Sequence, residues 1–349
     1  LYINPAGLVS SDLTWEKAST FNIGLDFTML NQRLDFSFDW YQRTTSDMLV
    51  KVEYPEVLGT TAPPANKAEL RTRGWEVSVK WNDRIGNDFS YDLGFILSDS
   101  QAEITKYENP SGTLSDYYVG QKIGEIWGYE TEGFYQSDTD VQNHADQSKL
   151  GANWAPGDIM YKDLDGNKKI NNGSNTLDDH GDLKVIGNTT PRYQYGITAN
   201  MSYKNVYLNV FFQGIGKRDF WPSSQPFWPV ATQYYNTQKW FVTDSWSEDN
   251  RDAYFARPIA RETKNQQKQT KYLQDASYCR LKNLTVGYDF PKSWLSFLHV
   301  AKAGVYFSAE NLFEFTNVKG AYDPEAAGKN GTMVYPFQRT YSFGLNVTF

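Results

Sequence analysis

The stretch "YSFGLNVTF", residues 341–349, decides how the chain is read. Tyr341, Phe343, Leu345, Val347 and Phe349 alternate with Ser342, Gly344, Asn346 and Thr348. A two-residue period puts the large apolar side chains on one face of a strand and the small or polar ones on the other. A soluble sheet rarely finishes on an aromatic inside its last strand, so the remaining sequence has to say what the greasy face meets.

The same alternation recurs upstream. Phe21, Ile23, Leu25 and Phe27 are followed by Leu34, Phe36, Phe38 and Trp40, which reads as a hairpin. Trp75, Val77, Val79 and Trp81 lead through "NDRIGND" into Phe89, Tyr91, Leu93, Phe95 and Leu97. Tyr193 to Tyr203 turns at "KN" into Tyr207 to Gln213, and Leu284 to Phe290 runs through "PKSWLSFLH" into "VAKAGVYFSAENLFEF". With the closing strand, about nine strands are expected, where segments of about 9 to 11 residues suffice to cross a bilayer.

Of the 349 residues, 24 are Tyr, 21 Phe and 11 Trp, more rings than the core of a soluble domain this long needs. Mean hydropathy is −0.61, and no apolar run is long enough for a membrane helix. That excludes helical transport but not a transmembrane barrel, whose strands alternate and average out. A net charge of −7 without clustered Lys or Arg makes nucleic acid an improbable partner. The single cysteine, Cys279, rules out an intrachain disulfide framework and reads as a small apolar filler.

Short turns near 29–33, 82–88, 204–205 and 291–299 interleave with long loops at about 50–67, 108–190, 222–271 and 317–335. Short connections at one end and long ones at the other mark an outer-membrane barrel, with polar strand faces lining an aqueous lumen. A β-sandwich has no reason to sort its loops so. The expected fold class is therefore all-β, an antiparallel transmembrane β-barrel with long extracellular loops.

Several stretches together resemble the SusC-like (RagA-like) TonB-dependent outer-membrane transporters: "LTWEKASTFNIGLDF" at 13–27, "YQRTTSDML" at 41–49, "GDIMYKDLDGNKKI" at 157–170 and "DDHGDLKVIGNTTPRYQYGI" at 178–197. "YCRLKNLTVGYDFP" at 278–291, "SAENLFEFT" at 308–316, "YDPE" at 322–325 and "YPFQRTYSFGLNVTF" at 335–349 continue the match. The resemblance implies that residues 1–349 form the C-terminal part of a 22-stranded barrel. The plug domain, the energy-coupling box and the N-terminal strands would then lie outside this chain. A start at Leu1 fits a fragment or a processed product.

The resemblance further implies TonB-dependent import of a large nutrient, an oligosaccharide or a peptide, across the bacterial outer membrane. Its partners would be a SusD-like surface lipoprotein, the TonB complex acting through the absent N-terminal region, and outer-membrane lipids. It also makes the last strand, Tyr341, Phe343, Leu345, Val347 and Phe349, the signal read by the barrel-assembly machinery. The protein is expected to be a carrier and not an enzyme. The competing readings are a secreted or surface glycan-binding β-sandwich and an outer-membrane hydrolase.

Two loop stretches carry candidate sites. In "DLDGNKKINNGS", Asp163, Asp165 and Asn167 fall at positions 1, 3 and 5 of a calcium-type loop, with Lys169 offering a backbone carbonyl and Ile170 at an apolar position. Lys168 stands where such loops have glycine, and Ser174 where they have a bidentate carboxylate. The alternatives are bound Ca²⁺ or Mg²⁺, completed by Asp178 or Asp179, and a metal-free Asx turn.

In "DFWPSSQPFWPVATQYYNTQKWFVTDSW", Trp221, Trp228, Tyr234, Tyr235, Trp240 and Trp246 beside Gln and Asn amides suit sugar stacking. The alternative is that these rings pack the loop onto itself or onto a partner. No catalytic residue is assigned: His144, His180 and His299 are far apart and sit in no hydrolase motif.

Overall fold

The computed structural model describes residues 13–51, 63–224, 227–231, 236–296, 299–320, 322–327 and 337–349. Nine strands form one sheet: β1 (Lys17–Met29), β2 (Leu34–Val50), β3 (Ala65–Ile85), β4 (Phe89–Lys106), β5 (Arg192–Tyr203), β6 (Val206–Lys217), β7 (Tyr278–Asp289), β8 (Lys302–Thr316) and β9 (Thr340–Thr348). Each pairs antiparallel with its neighbour in sequence. The sheet is an open meander, with β1 and β9 as its two edges. Among the described residues no helix is long and apolar enough to cross a membrane.

The cross-strand register shows why alternation specifies this wall. Residues directly opposite in antiparallel pairs share a face. One row runs Ser342, Ser308, Thr285, Asn209, Asn200, Asp92 and Asn82. The next runs Phe343, Phe307, Val286, Leu208, Met201 and Tyr91. A slip of one residue in any strand would exchange the two faces, so the pattern locks the register.

The polar face is the hollow one, with a depression lined by Asp39, Glu76, Ser78, Ser98, Gln194 and Gln213. The opposite face exposes Leu25, Phe38, Phe95, Ile197, Phe313 and Phe343. Apolar residues interrupt the sorting around Gly196, where Ile96 and Phe211 flank it on the polar face.

Strand boundaries differ from the sequence reading in both directions, the turn expected at 291–299 widening to 290–301. β3 reaches Ile85, so the turn expected at 82–88 contracts to 86–88, with Gly86 at φ 63°. Asn82 to Ile85 stay extended because each pairs across to Phe89–Asp92. At the other end β3 begins at Ala65, ten residues before the alternation becomes visible. β9 stops at Thr348, leaving Phe349 just beyond the ladder.

β3 has 21 residues. At about 3.3 Å per residue and a tilt of about 45° it rises about 50 Å, twice the roughly 25 Å apolar band of a barrel. The surplus lies at the long-loop end, where polar residues stand on both faces and ion pairs tie β3 to β4 and to the residues just after it: Arg71 to Glu103 at 3.4 Å, and Lys67 to Glu108 at 2.7 Å.

Candidate functional site

The two longest connections, 107–191 and 218–277, fold together instead of standing apart. Short strand pairs brace them: Glu125–Tyr129 with Leu183–Asn188, Thr131–Phe134 with Ile159–Tyr161, and Asp219–Phe220 with Gln274–Asp275. Between them lies a core drawn from both, including Tyr129, Ile159, Tyr161 and Ile170 from the first and Phe227, Phe255 and Tyr272 from the second. Phe255 stacks on Tyr272 at 6.0 Å, and Trp228 meets Tyr272 edge-on at 5.0 Å. Each ring buried this way contributes about 1.5 to 3 kcal/mol. Much of the aromatic surplus is spent on this core.

That corrects part of the sugar-stacking expectation. Trp228 and Trp246 are only 8% exposed, Trp228 packed among Phe227, Phe255 and Tyr272 and Trp246 against Gly157. Trp221 and Trp240 are half-buried at the margin of the core. Tyr234 and Tyr235 lie outside the described residues.

A buried ionic cluster joins the same loops. The Asp158 carboxylate, wholly buried, accepts from Arg257 at 2.8 and 2.9 Å, from Lys264 at 2.9 Å and from Asn265 at 2.9 Å. Burial pushes this carboxyl up, but the hydrogen bonds from Arg257, Asn265 and Lys264 outweigh it and hold it below the ordinary carboxylate value. Lys264 also donates to the carbonyls of Ala152 and Asn153. Every group in the cluster therefore has a partner, as burial of charge requires.

The 163–170 stretch forms a tight loop anchored by Ile170, which is fully buried. Asp163 accepts from the amides of Gly166 and Lys168, and Asp165 from that of Asn167. Asn167 in turn accepts from the Lys169 amide, and the Lys169 carbonyl accepts from the Asn171 side chain. The third carboxylate is neither Asp178 nor Asp179. Asp179 caps a separate turn by accepting from the Ser174 amide at 2.9 Å, and the group that approaches is Asp182. Carboxylate oxygens of Asp163, Asp165 and Asp182 lie within 4.8 Å of one another. Burial first, and the charges of Asp165 and Asp163 second, raise the Asp182 carboxyl, against the lowering effect of the Asn171 and Leu164 amides. Sequence spacing missed Asp182 because only the fold of the whole loop brings it back.

A third cluster pins the last connection to the hollow face. Arg280, 2% exposed, reaches Asp323 at 2.8 Å and Glu325 at 2.6 Å, and Lys282 shares Glu325 at 2.9 Å. Lys282, two residues on, shares the strand face of Arg280, and a register shift against β6 between Phe211 and Phe212 leaves it as the unpaired residue of a bulge. The "YDPE" stretch is thus held inward by charge, with Tyr322 set edge-on to Phe220 at 5.3 Å.

The histidines stay apart: His144 contacts Tyr135 and Glu132, His180 lies beside Trp127, and His299 occupies a turn at φ 54°.

A sheet with one apolar and one polar, hollow face, bearing folded loops at one end, defines a section of outer-membrane barrel wall. The comparisons agree. The family model described as TonB dependent receptor-like, beta-barrel, matches residues 1–312, and the chain belongs to this family. TonB-dependent receptor P3 of Formosa agariphila is 30% identical over 97% of this chain and 35% of the relative. TonB-dependent receptor SusC of Bacteroides thetaiotaomicron is 27% identical over 97% of this chain and 32% of the relative. A solved structure of the RagAB peptide transporter superposes with a TM-score of 0.73 at 25% identity, covering 100% of this chain and 37% of that one. The chain thus spans about a third of the length of the relatives it matches.

Proposed function

We propose that the chain is the C-terminal wall and outer loops of an importer that carries a large nutrient, oligosaccharide or peptide, across the bacterial outer membrane. The observation that carries this reading is the nine-strand meander, apolar outside and polar within, with its long connections folded at one end. A glycan-binding sandwich would need a second sheet over the apolar face, and the described residues form none.

By analogy with the SusC and RagAB neighbours, a SusD-like surface lipoprotein covers the loops. TonB acts on a plug supplied by the rest of the polypeptide. Each open edge presents on the order of ten unpaired backbone groups, at several kcal/mol apiece in hydrocarbon. The remaining strands are needed to pair them. The role is that of a carrier, with no chemical step assigned to any residue. The loop core holds the outer mouth in shape, and a Ca²⁺ or Mg²⁺ ion on Asp163, Asp165 and Asp182 stiffens one side of it.

The test is fractionation of the full-length polypeptide that contains this chain. It should require detergent, cofractionate with outer-membrane lipid and bring down a surface lipoprotein. Recovery as a monodisperse protein in plain buffer would overturn the reading in favour of the sandwich.

A further inference from the structure

A groove of about 550 Å³ opens on the loop body, lined among others by Trp127, Trp221, Asn172, Gln267, Lys149 and Lys268. Its size suits one or two sugar rings. No carboxylate lines it, although the chain as a whole carries a net charge of −7. Among the described residues neither Lys149 nor Lys268 has an acidic partner. Two indoles, several side-chain amides and two unneutralised ammonium groups therefore converge on one concavity.

The groove is also rigid. The Trp127 Nε1–H donates to the Tyr118 hydroxyl at 3.1 Å, and its ring lies 5.5 Å from that of His180. Trp221 leans on the buried Trp228 at 6.1 Å. The Lys268 carbonyl accepts from the Tyr129 amide at 2.8 Å, an approach that Gly128 permits, since a Cβ there would lie 2.5 Å from that oxygen. Next to Lys268, the fully buried Gln269 donates to the Tyr161 hydroxyl and the Asn265 carbonyl. Leu150, beside Lys149, donates its amide to the carbonyl of the buried Gln147 at 3.0 Å. Walls fixed in this way spare a ligand the cost of ordering them.

We propose that this groove binds one unit of an anionic saccharide, its ring against Trp221 and Trp127 and its carboxylate or sulfate group between Lys149 and Lys268. The proposal rests on the importer reading and narrows the substrate class. Flat apolar ring faces suit indoles, and hydroxyls suit the amides. A charge-assisted contact to ammonium supplies selection against neutral sugars. A bound peptide would look for backbone hydrogen-bonding edges, and these side chains supply none.

The experiment uses the full-length receptor with its lipoprotein in detergent, titrated calorimetrically with oligogalacturonate, a sulfated galactan oligosaccharide, a neutral galacto-oligosaccharide of matched length, and an acidic peptide mixture. At least one anionic saccharide should bind, and more tightly than the neutral one. K149A/K268A should weaken it by about tenfold or more, K149R/K268R should restore it, and W221A should weaken charged and neutral sugars alike. The two anionic probes separate carboxylate from sulfate. Binding of neither anionic saccharide, of the peptide alone, or with K149A/K268A unaffected would each overturn the proposal. Because membrane location and lipoprotein capture are read on the same preparation, failure of the groove is distinguishable from failure of the importer reading.

Discussion

Tyr207 covers Gly287 on the neighbouring strand: a Cβ on the glycine would lie 2.1 Å from the tyrosine Cζ. The same pairing recurs where Tyr41 meets Gly74, Tyr195 meets Gly214 and Tyr306 meets Gly344. In each case the ring occupies the space that the absent side chain leaves on the pleat, so the wall gains cross-strand packing at positions that would otherwise be bare.

Gly287→Ala should therefore destabilise the folded barrel by about 1 to 3 kcal/mol, the usual cost of overpacking. Combining it with Tyr207→Ser should recover part of the loss. Urea titration of the full-length receptor in micelles, followed by heat-modifiable mobility, reads both variants. An unchanged midpoint for Gly287→Ala would show that the ring moves aside without cost.

Leu345 sits in an apolar row with Val305, Tyr288 and Val206, while Asn346 lies opposite Gly304 on the other face. Leu345→Arg should cost about 2 to 4 kcal/mol if it lies near the bilayer midplane and less toward an interface. Asn346→Arg should be mild. Equal losses at the two positions would undo the assignment of lipid and lumen faces.

Asp158→Ala leaves Lys264 buried without its counter-charge and should loosen the loop body by about 3 to 5 kcal/mol. The pH dependence has a definite sign. A carboxyl whose folded value is depressed stabilises fully above its unfolded value, near pH 4, and loses that contribution as pH falls through the lower folded value. Limited proteolysis of loops 107–191 and 218–277 should accelerate only in that acid range. Cleavage of the wild type that is flat down to pH 2 would contradict it.

Asp182 behaves oppositely, because its carboxyl is raised by burial and by Asp165 and Asp163. Without a cation the loop carries a charge penalty that is absent below the unfolded value and complete above the folded one. Added Ca²⁺ should relieve that penalty near neutral pH and compete with protons as pH falls through the folded value. Asp182→Asn should abolish the calcium-dependent rise in melting temperature. A rise that persists in that variant would place the ion elsewhere.

The strands were legible because a barrel wall obliges every second residue to be apolar, and Phe36, Phe38 and Trp40 announce that as plainly as Phe343 and Leu345 do. Strand ends were not. Ala65 to Gly74 lie beyond the apolar band, where polar and charged residues stand on both faces and no alternation is demanded. The loop core is hidden for a related reason: its rings come from two connections and follow no period, so the sequence leaves Trp228 and Trp246 open between exposed platforms and loop packing, and the burial decides for packing. Asp182 and the tyrosine–glycine pairs depend on loop closure and register, which only the assembled sheet fixes. The anchoring of "YDPE" needed Arg280 and Lys282 from another strand.

The loop body also sets an order of folding. Strand joins to strand along the chain, so hairpins such as β1–β2 and β5–β6 can zip locally. The contacts above them cannot: Asp158 and Arg257 are 99 residues apart, and Thr131 and Gln269 are 138 apart. Pairing β4 with β5 means closing the 107–191 connection, an entropic cost of about 4 kcal/mol beyond the constant term. Its internal strand pairs lower that cost by shortening the free chain. The two long connections then find each other only after β5 and β6 stand side by side, so the mouth is shaped last, on a wall already in register.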